Sequence, residues 1–350
     1  MTPALSKKLL PRASGALLTL LSLTVSPALL AQVPSRLAPY TAEPPPVSTH
    51  APYTAGECSL CHQSADARRP GPLIKPSPGL CLGCHDEFAQ VLTRPHTHAP
   101  AREDCTVCHN PHDAAQPKLL LGEPRALCGE CHVNVVTLDQ KAKVRHAAMS
   151  APGQCSNCHN AHGSGVARLL VALPFDLCVG CHDRDGRVDA AGRKLQNVKA
   201  WLDANKVWHG PVADKDCSAC HAAHGSDHFR LLATNYPPEF YAPYDARNYA
   251  LCFGCHNERA FSTPQTTTLT NFRDGARNLH YVHLHQGSRG RTCRACHEVH
   301  ASSQAHHIRD GVPYGASGWV LKLNYTKTDS GGSCDKTCHA KKAYSTRTAP

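Results

Sequence analysis

The sequence predicts a chain with little regular structure, in which short helices and loops, with few strands, pack around something other than their own side chains. Composition is the first reason. Of 350 residues 41% are hydrophobic, but the 20 Cys supply about 6 of those points and aromatics only 6%. With 27 Pro and 24 Gly added, too little aliphatic and aromatic matter remains for a conventional core. The second reason is that all 20 Cys fall into ten pairs, each followed at once by His. The third is that the pairs recur at a fixed period, which marks an array of repeats.

Taken in chain order, the N-terminus reads as a secretory signal over residues 1–31. Lys7, Lys8 and Arg12 form its basic region, Ala16 to Val25 its apolar region, and cleavage falls after Ala28 or Ala31. No later run reaches the length of a membrane-spanning helix, and the first Cys is Cys58, so no lipid-modified Cys sits near the cleavage point. These features predict an exported chain with no transmembrane helix after signal removal. The expected compartment is the periplasm, with outer-membrane association or an extracellular position left open. Residues 32–57 hold Pro34, Pro39, Pro44, Pro45, Pro46 and Pro52, which suits an extended lead-in.

Nine of the ten motifs are Cys-x-x-Cys-His: Cys58/Cys61/His62, Cys81/Cys84/His85, Cys105/Cys108/His109, Cys128/Cys131/His132, Cys155/Cys158/His159, Cys178/Cys181/His182, Cys217/Cys220/His221, Cys252/Cys255/His256 and Cys293/Cys296/His297. The tenth, Cys334/Cys338/His339, carries one more residue between its thiols. This is the attachment signature of c-type haem. Two thiols reach the two vinyl groups on one porphyrin edge and form thioethers, and the adjacent imidazole then lies under the ring as proximal iron ligand. Zinc explains paired cysteines and disulfides explain an even number, but neither explains a His at one offset ten times in ten. The fold class is therefore a multihaem cytochrome c holding about ten covalent haems c.

What fills the second axial face decides whether a haem only passes electrons or also does chemistry. Besides Met1 the chain has only Met149, whereas 25 His less ten proximal ones leave 15. His112, His162, His224 and His300 each stand three residues after a proximal His, a spacing that on a helical turn shares one side. Such a His reaches a neighbouring haem rather than its own. A second group stands before a first Cys: His50, His96 or His98, His146 and His209, with His280, His283 and His285 in the corresponding place before Cys293. The distal candidates are thus His50, His96, His98, His112, His146, His162, His209, His224, His280, His283 and His300, with His228, His306 and His307 as surplus. Without axial Met, the haems are expected at low potential.

First-Cys spacings of 23 (Cys58 to Cys81, Cys105 to Cys128, Cys155 to Cys178), 35 (Cys217 to Cys252) and 41 (Cys293 to Cys334) divide the chain into five two-motif repeats: 58–104, 105–154, 155–216, 217–279 and 280–350. In the first, Ala65 stands where the trailing His falls elsewhere, leaving one haem without an obvious ligand unless His96 or His98 compensates. Short helices are expected after several motifs, as over Asp86–Leu92, and the longest over 187–207. Strands are few. Tyr236, Phe240, Tyr241, Tyr244 and Tyr249 in the insertions are expected to pack against haem faces.

The segments CTVCHNPH (from Cys105), CSNCHNAHGS (from Cys155) and CSACHAAHGS (from Cys217) resemble the doubled-CxxCH multihaem cytochromes c. From His280 onward the runs LHYVH, GRTCRACHEVHAS, HIRDGVPYG and YTKTDSGGSCDKTCHAKKAY are similar to the C-terminal part of decahaem cytochromes of metal-respiring bacteria. That resemblance implies a periplasmic or outer-membrane-conduit haem wire in anaerobic, extracellular respiration. Its partners would be redox proteins, among them an outer-membrane porin and a cell-surface cytochrome. It also favours His280 and His283 over His285 as ligands.

The function expected is electron transfer with no catalytic residues. The alternative is a reductase of nitrite, hydroxylamine or a sulfur oxyanion, which needs one open iron. No nucleic-acid partner is expected, because the basic residues are scattered and not interleaved with aromatics. The excess of Lys and Arg, +10 (37 − 27) and +7 (34 − 27) once Lys7, Lys8 and Arg12 are removed, instead offsets haem propionates.

Overall fold

The computed structural model describes residues 46–189, 192–314, 319–335 and 338–347. The expected leader at 1–31 and the first part of the Pro-rich segment lie outside the described residues.

Nine of the ten motifs are each built on one helical turn. In nine of the ten the amide of the proximal His donates to the carbonyl of the first Cys at 2.8–3.0 Å, which sets both thiols on one side of the turn. The turn is a short 3-10 helix at Cys58–Leu60, Cys81–Gly83, Cys105–Val107, Gln154–Asn157, Cys217–Ala219 and Cys293–Ala295. Asp104 and Asp216, one residue before the first Cys, cap two of them by accepting from Thr106 N and Ser218 N. In the second motif of repeats two to four the turn instead belongs to an α-helix, Pro124–Gly129, Pro174–Val179 or Ala250–Phe253. Pro at the first position suits two of these starts, since its missing N–H would have no partner there. The last motif departs from the pattern, with Cys334 ending the strand Gly331–Cys334.

The helix expected after Cys81 is present as Asp86–Val91. The longest helix among the described residues, however, is Val133–Lys141, not one over 187–207. There helix is confined to Val198–Ala204. Gly186 and Gly192 take φ of 78° and 74°, and Asp189 Oδ1 accepts from Arg193 N at 3.0 Å, so the segment turns back before Asn197 caps the helix through Ala200 N. The trailing His residues are likewise not on helical turns. Asn110 and Asn160 accept from the amides of His112 and His162 with their side chains, forming the local turn that Asn favours over helix.

Those turns feed short antiparallel ladders that join the lead-in before one repeat's first motif to the trailing-His turn of the repeat after it. Ser48–Thr49 pairs with Asp113–Ala114, His96–Thr97 with Gly163–Ser164, and Val207–Trp208 with Ala301–Ser302, while Val144 bridges Ser226. Each ladder sets a leading His beside the trailing His of the next repeat: the amides of His50, His98 and His209 donate to the carbonyls of His112, His162 and His300 at 2.8–3.1 Å.

Only the C-terminal part has longer strands. Tyr325–Thr328, Gly331–Cys334 and Lys342–Ser345 form an antiparallel sheet, and Gly311–Pro313 pairs with Val320–Lys322. Buried apolar side chains are few and often small, as Ala114, Ala260, Ala295 and Ala301. In place of a core the chain lines a continuous, partly open cavity of about 3970 Å³. Of the aromatics expected against haem faces, Tyr236 and Phe240 line this cavity. Tyr244 and Tyr249 instead pack on one another, with ring centres 5.8 Å apart, and Tyr241 packs on Phe240 and Tyr314.

Candidate haem-binding sites

All twenty thiols are free in the structure. Among the described residues no three or more His, Cys, Asp or Glu side chains converge on a common metal position. The His side chains meet in twos. His62 faces His112, His85 faces His50, His109 faces His162, His132 faces His98, His159 faces His224, His182 faces His146, His221 faces His300, His256 faces His209 and His297 faces His280. In all nine pairs one ring is a proximal His, the centres are 6.1–6.4 Å apart, and the planes lie within 32° of parallel.

That separation leaves a gap. Two rings in real face contact, Tyr281 and His285, sit 3.9 Å apart. An imidazole nitrogen lies about 1.15 Å from its ring centre and a metal–imidazole bond runs about 2.0–2.1 Å, so two rings on opposite sides of one metal have centres about 6.3–6.5 Å apart. The nine pairs fit a six-coordinate iron between two imidazoles.

The tautomers agree with this arrangement. The first-motif proximal His residues, His62, His109, His159, His221 and His297, donate Nδ1–H to the carbonyls of Gly71, Lys118, Arg168, Arg230 and His306 at 2.8–3.0 Å. Among the leading His, His50 and His146 donate to Pro111 O and Ala223 O at 2.9 Å. A ring that donates from Nδ1 has a bare Nε2 for a metal, and such an outer bond also orients the ring and raises its basicity.

Burial keeps many of these rings neutral. It pulls His182 and His224 below the ordinary His range, His300 to about 4 and His280 to about 3, with neighbouring His charges as a smaller cause. It lowers His162 too, reinforced by His109, His98 and Lys118.

The carbonyls that receive Nδ1–H were not found from sequence. Each belongs to a residue nine beyond the proximal His, and each lies in the left-handed region: φ is 73° at Gly71, 61° at Lys118, 58° at Arg168, 51° at Arg230 and 56° at His306. The following Leu119, Leu169, Leu231 and His307 are left-handed as well. Their carbonyls accept from the residue after the proximal His at 2.7–2.8 Å, so the loop closes back on its own motif. A sequence signal was present in Lys-Leu-Leu at 118–120 and Arg-Leu-Leu at 168–170 and 230–232.

The geometry separates the distal candidates. His98 stands opposite a proximal His, whereas His96 is exposed on its two-residue strand. His285 is sandwiched between Tyr281 and Tyr244. His283 donates Nδ1–H to Leu279 O at 2.7 Å. Burial lowers it, and Arg291 and the nearby His339 lower it further, which associates it with the one proximal His outside the nine pairs. Ala65 ceases to be an anomaly. A trailing His faces the first-motif His of the preceding repeat, His112 facing His62, so position 65 is not the one that serves the first motif. In the fifth repeat His297 faces His280, which stands three residues before His283 on the helix Leu279–Leu284.

Consecutive motifs are neighbours through their thiols. Cys81 is affected by both Cys61 and Cys105. Cys128 lies against Cys155, Cys178 against Cys217 and Cys252 against Cys293, while Cys108 is near Cys131, Cys158 near Cys181, Cys220 near Cys252 and Cys255, and Cys296 near Cys334 and Cys338. The ten motifs therefore form an unbroken row in sequence order. No helix among the described residues is long and apolar enough to cross a membrane.

Comparison with known proteins agrees with this reading. The family described as the doubled CXXCH motif matches residues 50–90, 98–137, 146–187 and 209–261. Each match opens on a leading His, His50, His98, His146 or His209, and covers the two motifs that follow. No curated protein matches the chain. With half of its length matched and every match a paired attachment motif, the chain belongs to the doubled CXXCH motif family and is a multihaem c-type cytochrome.

Proposed function

We propose that this protein carries electrons along ten haems c, each held by two imidazoles and arranged in the order of their motifs. The proposed axial pairs are the nine described above, with His339 and His283 as the tenth. The observation that carries the reading is the row itself: neighbouring thiol pairs link every motif to the next, and facing imidazoles stand at nine of the ten. A bis-imidazole haem supplies a one-electron couple with no open coordination position for a substrate. The chain's own part is placement. Its helical turns fix the thioether edge of each macrocycle, and the inter-repeat ladders hold the leading and trailing His against the two haems of one repeat. The carbonyls nine residues on hold the first-motif ligands in one tautomer.

The setting proposed is the periplasm or an outer-membrane conduit of a bacterium that respires anaerobically, with redox proteins at either end of the row. The expected export signal and the similarity of residues 280–344 to decahaem conduit cytochromes support that setting. The test is low-temperature EPR of the purified ferric protein with haem quantified in the same sample. Ten haems giving only low-spin signals are expected. A high-spin signal from one iron in ten would overturn the fully bis-ligated reading and direct attention to reduction of a small oxyanion.

A further inference from the structure

The residues nine beyond the first-motif proximal His combine two features that nothing so far explains together. They are left-handed, a conformation for which glycine is the default and which strains other residues. Yet only the first repeat has glycine there, Gly71, while repeats two to four have Lys118, Arg168 and Arg230. Backbone requirements alone would be met by glycine, so the cationic side chains call for a role of their own. All three line the cavity in which the facing imidazoles stand.

Arg230 shows the need for a partner most directly. It is half-buried, and its Nε is enclosed with no acceptor. Among the described residues its side chain donates to Lys194 O at 3.4 Å and lies over the Phe229 ring. Arg294, which also lines the cavity, has an enclosed Nε without an acceptor as well. The carboxylates nearby are engaged: Glu298 pairs with Arg309 at 2.9 Å and Asp189 with Arg193 at 2.7 Å. Arg230 and Arg294 are thus neighbours beside the His221–His300 pair, and an enclosed N–H left without an acceptor is costly. The missing anion has the chemistry of a carboxylate, which a guanidinium binds with two parallel hydrogen bonds.

We propose that Lys118, Arg168 and Arg230 are two-ended clamps, each holding the proximal imidazole with its backbone carbonyl and a propionate of the same haem with its side chain, Arg230 together with Arg294. The proposal rests on the ligand pairing above. It has an electrical consequence. A fixed cation beside a haem stabilises the reduced form, which carries one positive charge fewer, and so raises its potential. The first-motif haems of repeats two, three and four would therefore lie above those of repeats one and five, where Gly71 and His306 stand.

The test is the triple variant Lys118→Gly/Arg168→Gly/Arg230→Gly, in which glycine keeps the left-handed turn and its carbonyl but removes the cation. Haem count, low-spin EPR and an optical redox titration are read on the variant and the parent. The expected result is an unchanged haem count, low-spin signals only, and about three-tenths of the optical change displaced to more negative potential. Arg230→Lys alone should titrate close to the parent. If the triple variant matures poorly, Arg230→Gln gives the same reading with about one-tenth of the change displaced. A variant with full haem content that titrates as the parent does overturns the clamp. A high-spin signal in the parent overturns the ligand pairing instead, so the two failures are distinguishable.

Discussion

Removing His224 should open a haem that its own motif does not hold. His224 follows the motif Cys217/Cys220/His221 by three residues, but its ring stands 6.1 Å from His159, with the planes 21° apart. It is therefore the proposed distal ligand at Cys155/Cys158/His159. In His224→Ala the gap between the rings becomes a gap between one ring and a methyl group. The His159 ring stays held through Nδ1 at 2.8 Å to Arg168 O, so one iron in ten becomes five-coordinate without disturbing its proximal side. The expected EPR spectrum gains a high-spin signal equal to about one-tenth of the total haem, and the same fraction of the haem binds carbon monoxide when reduced. Assignment follows from a second background lacking the thiols of the affected site, Cys155→Ala/Cys158→Ala, in which His224→Ala should add no further high-spin iron because that haem is already gone. Independent effects would add, and coupled ones do not. A high-spin signal that appears undiminished in that background would refute the inter-repeat assignment and return His224 to its own motif's neighbourhood.

The same geometry distinguishes two residues that sequence left as alternatives: His98→Ala should open one haem, at Cys128/Cys131/His132, whereas His96→Ala should leave the EPR spectrum low-spin throughout. Asp139 is fully buried between Arg125 and Arg145, and breaking a buried ion pair from one side costs about 3–5 kcal/mol. Because Arg145 is half exposed, Asp139→Asn is expected near the lower end, seen as a depressed melting temperature with unchanged haem count; an unchanged melting temperature would contradict it. Gly331 lies so close to the Tyr344 carbonyl that an added Cβ cannot fit without moving backbone. Gly331→Ala should therefore disturb the strand that carries Cys334 and lower the attached haem by about one in ten, read by mass spectrometry of the intact protein.

Much of this protein was legible from residues alone. Two thiols and an imidazole at fixed offsets are a covalent requirement, and a requirement of bond lengths does not depend on the fold around it. The shortage of apolar residues likewise foretold that the interior would be a cavity and not a core. The two-motif period announced the repeats, and the avoidance of long helices followed from Gly and Pro between motifs. Local chemistry misled where two features competed. Residues three apart suggested a helical turn at His109 and His112, but the Asn110 side chain satisfies the His112 amide and the chain enters a ladder.

What the tertiary structure decided is which imidazoles meet. A distal ligand belongs to a different turn from the macrocycle it serves, so its partner depends on how repeats dock, and spacing along one repeat contains no information about its neighbour. The two-residue ladders supply that information by fixing His112, His162, His224 and His300 beside the leading His of the repeat before. From this follows why His62 meets His112 although Ala65 stands at the trailing position of its own repeat. The left-handed turns at Lys118, Arg168 and Arg230 were also invisible beforehand, because propensity places glycine there. Those cations are tolerated in that conformation only because the closing loop, bonded back to its own motif, over-determines the backbone.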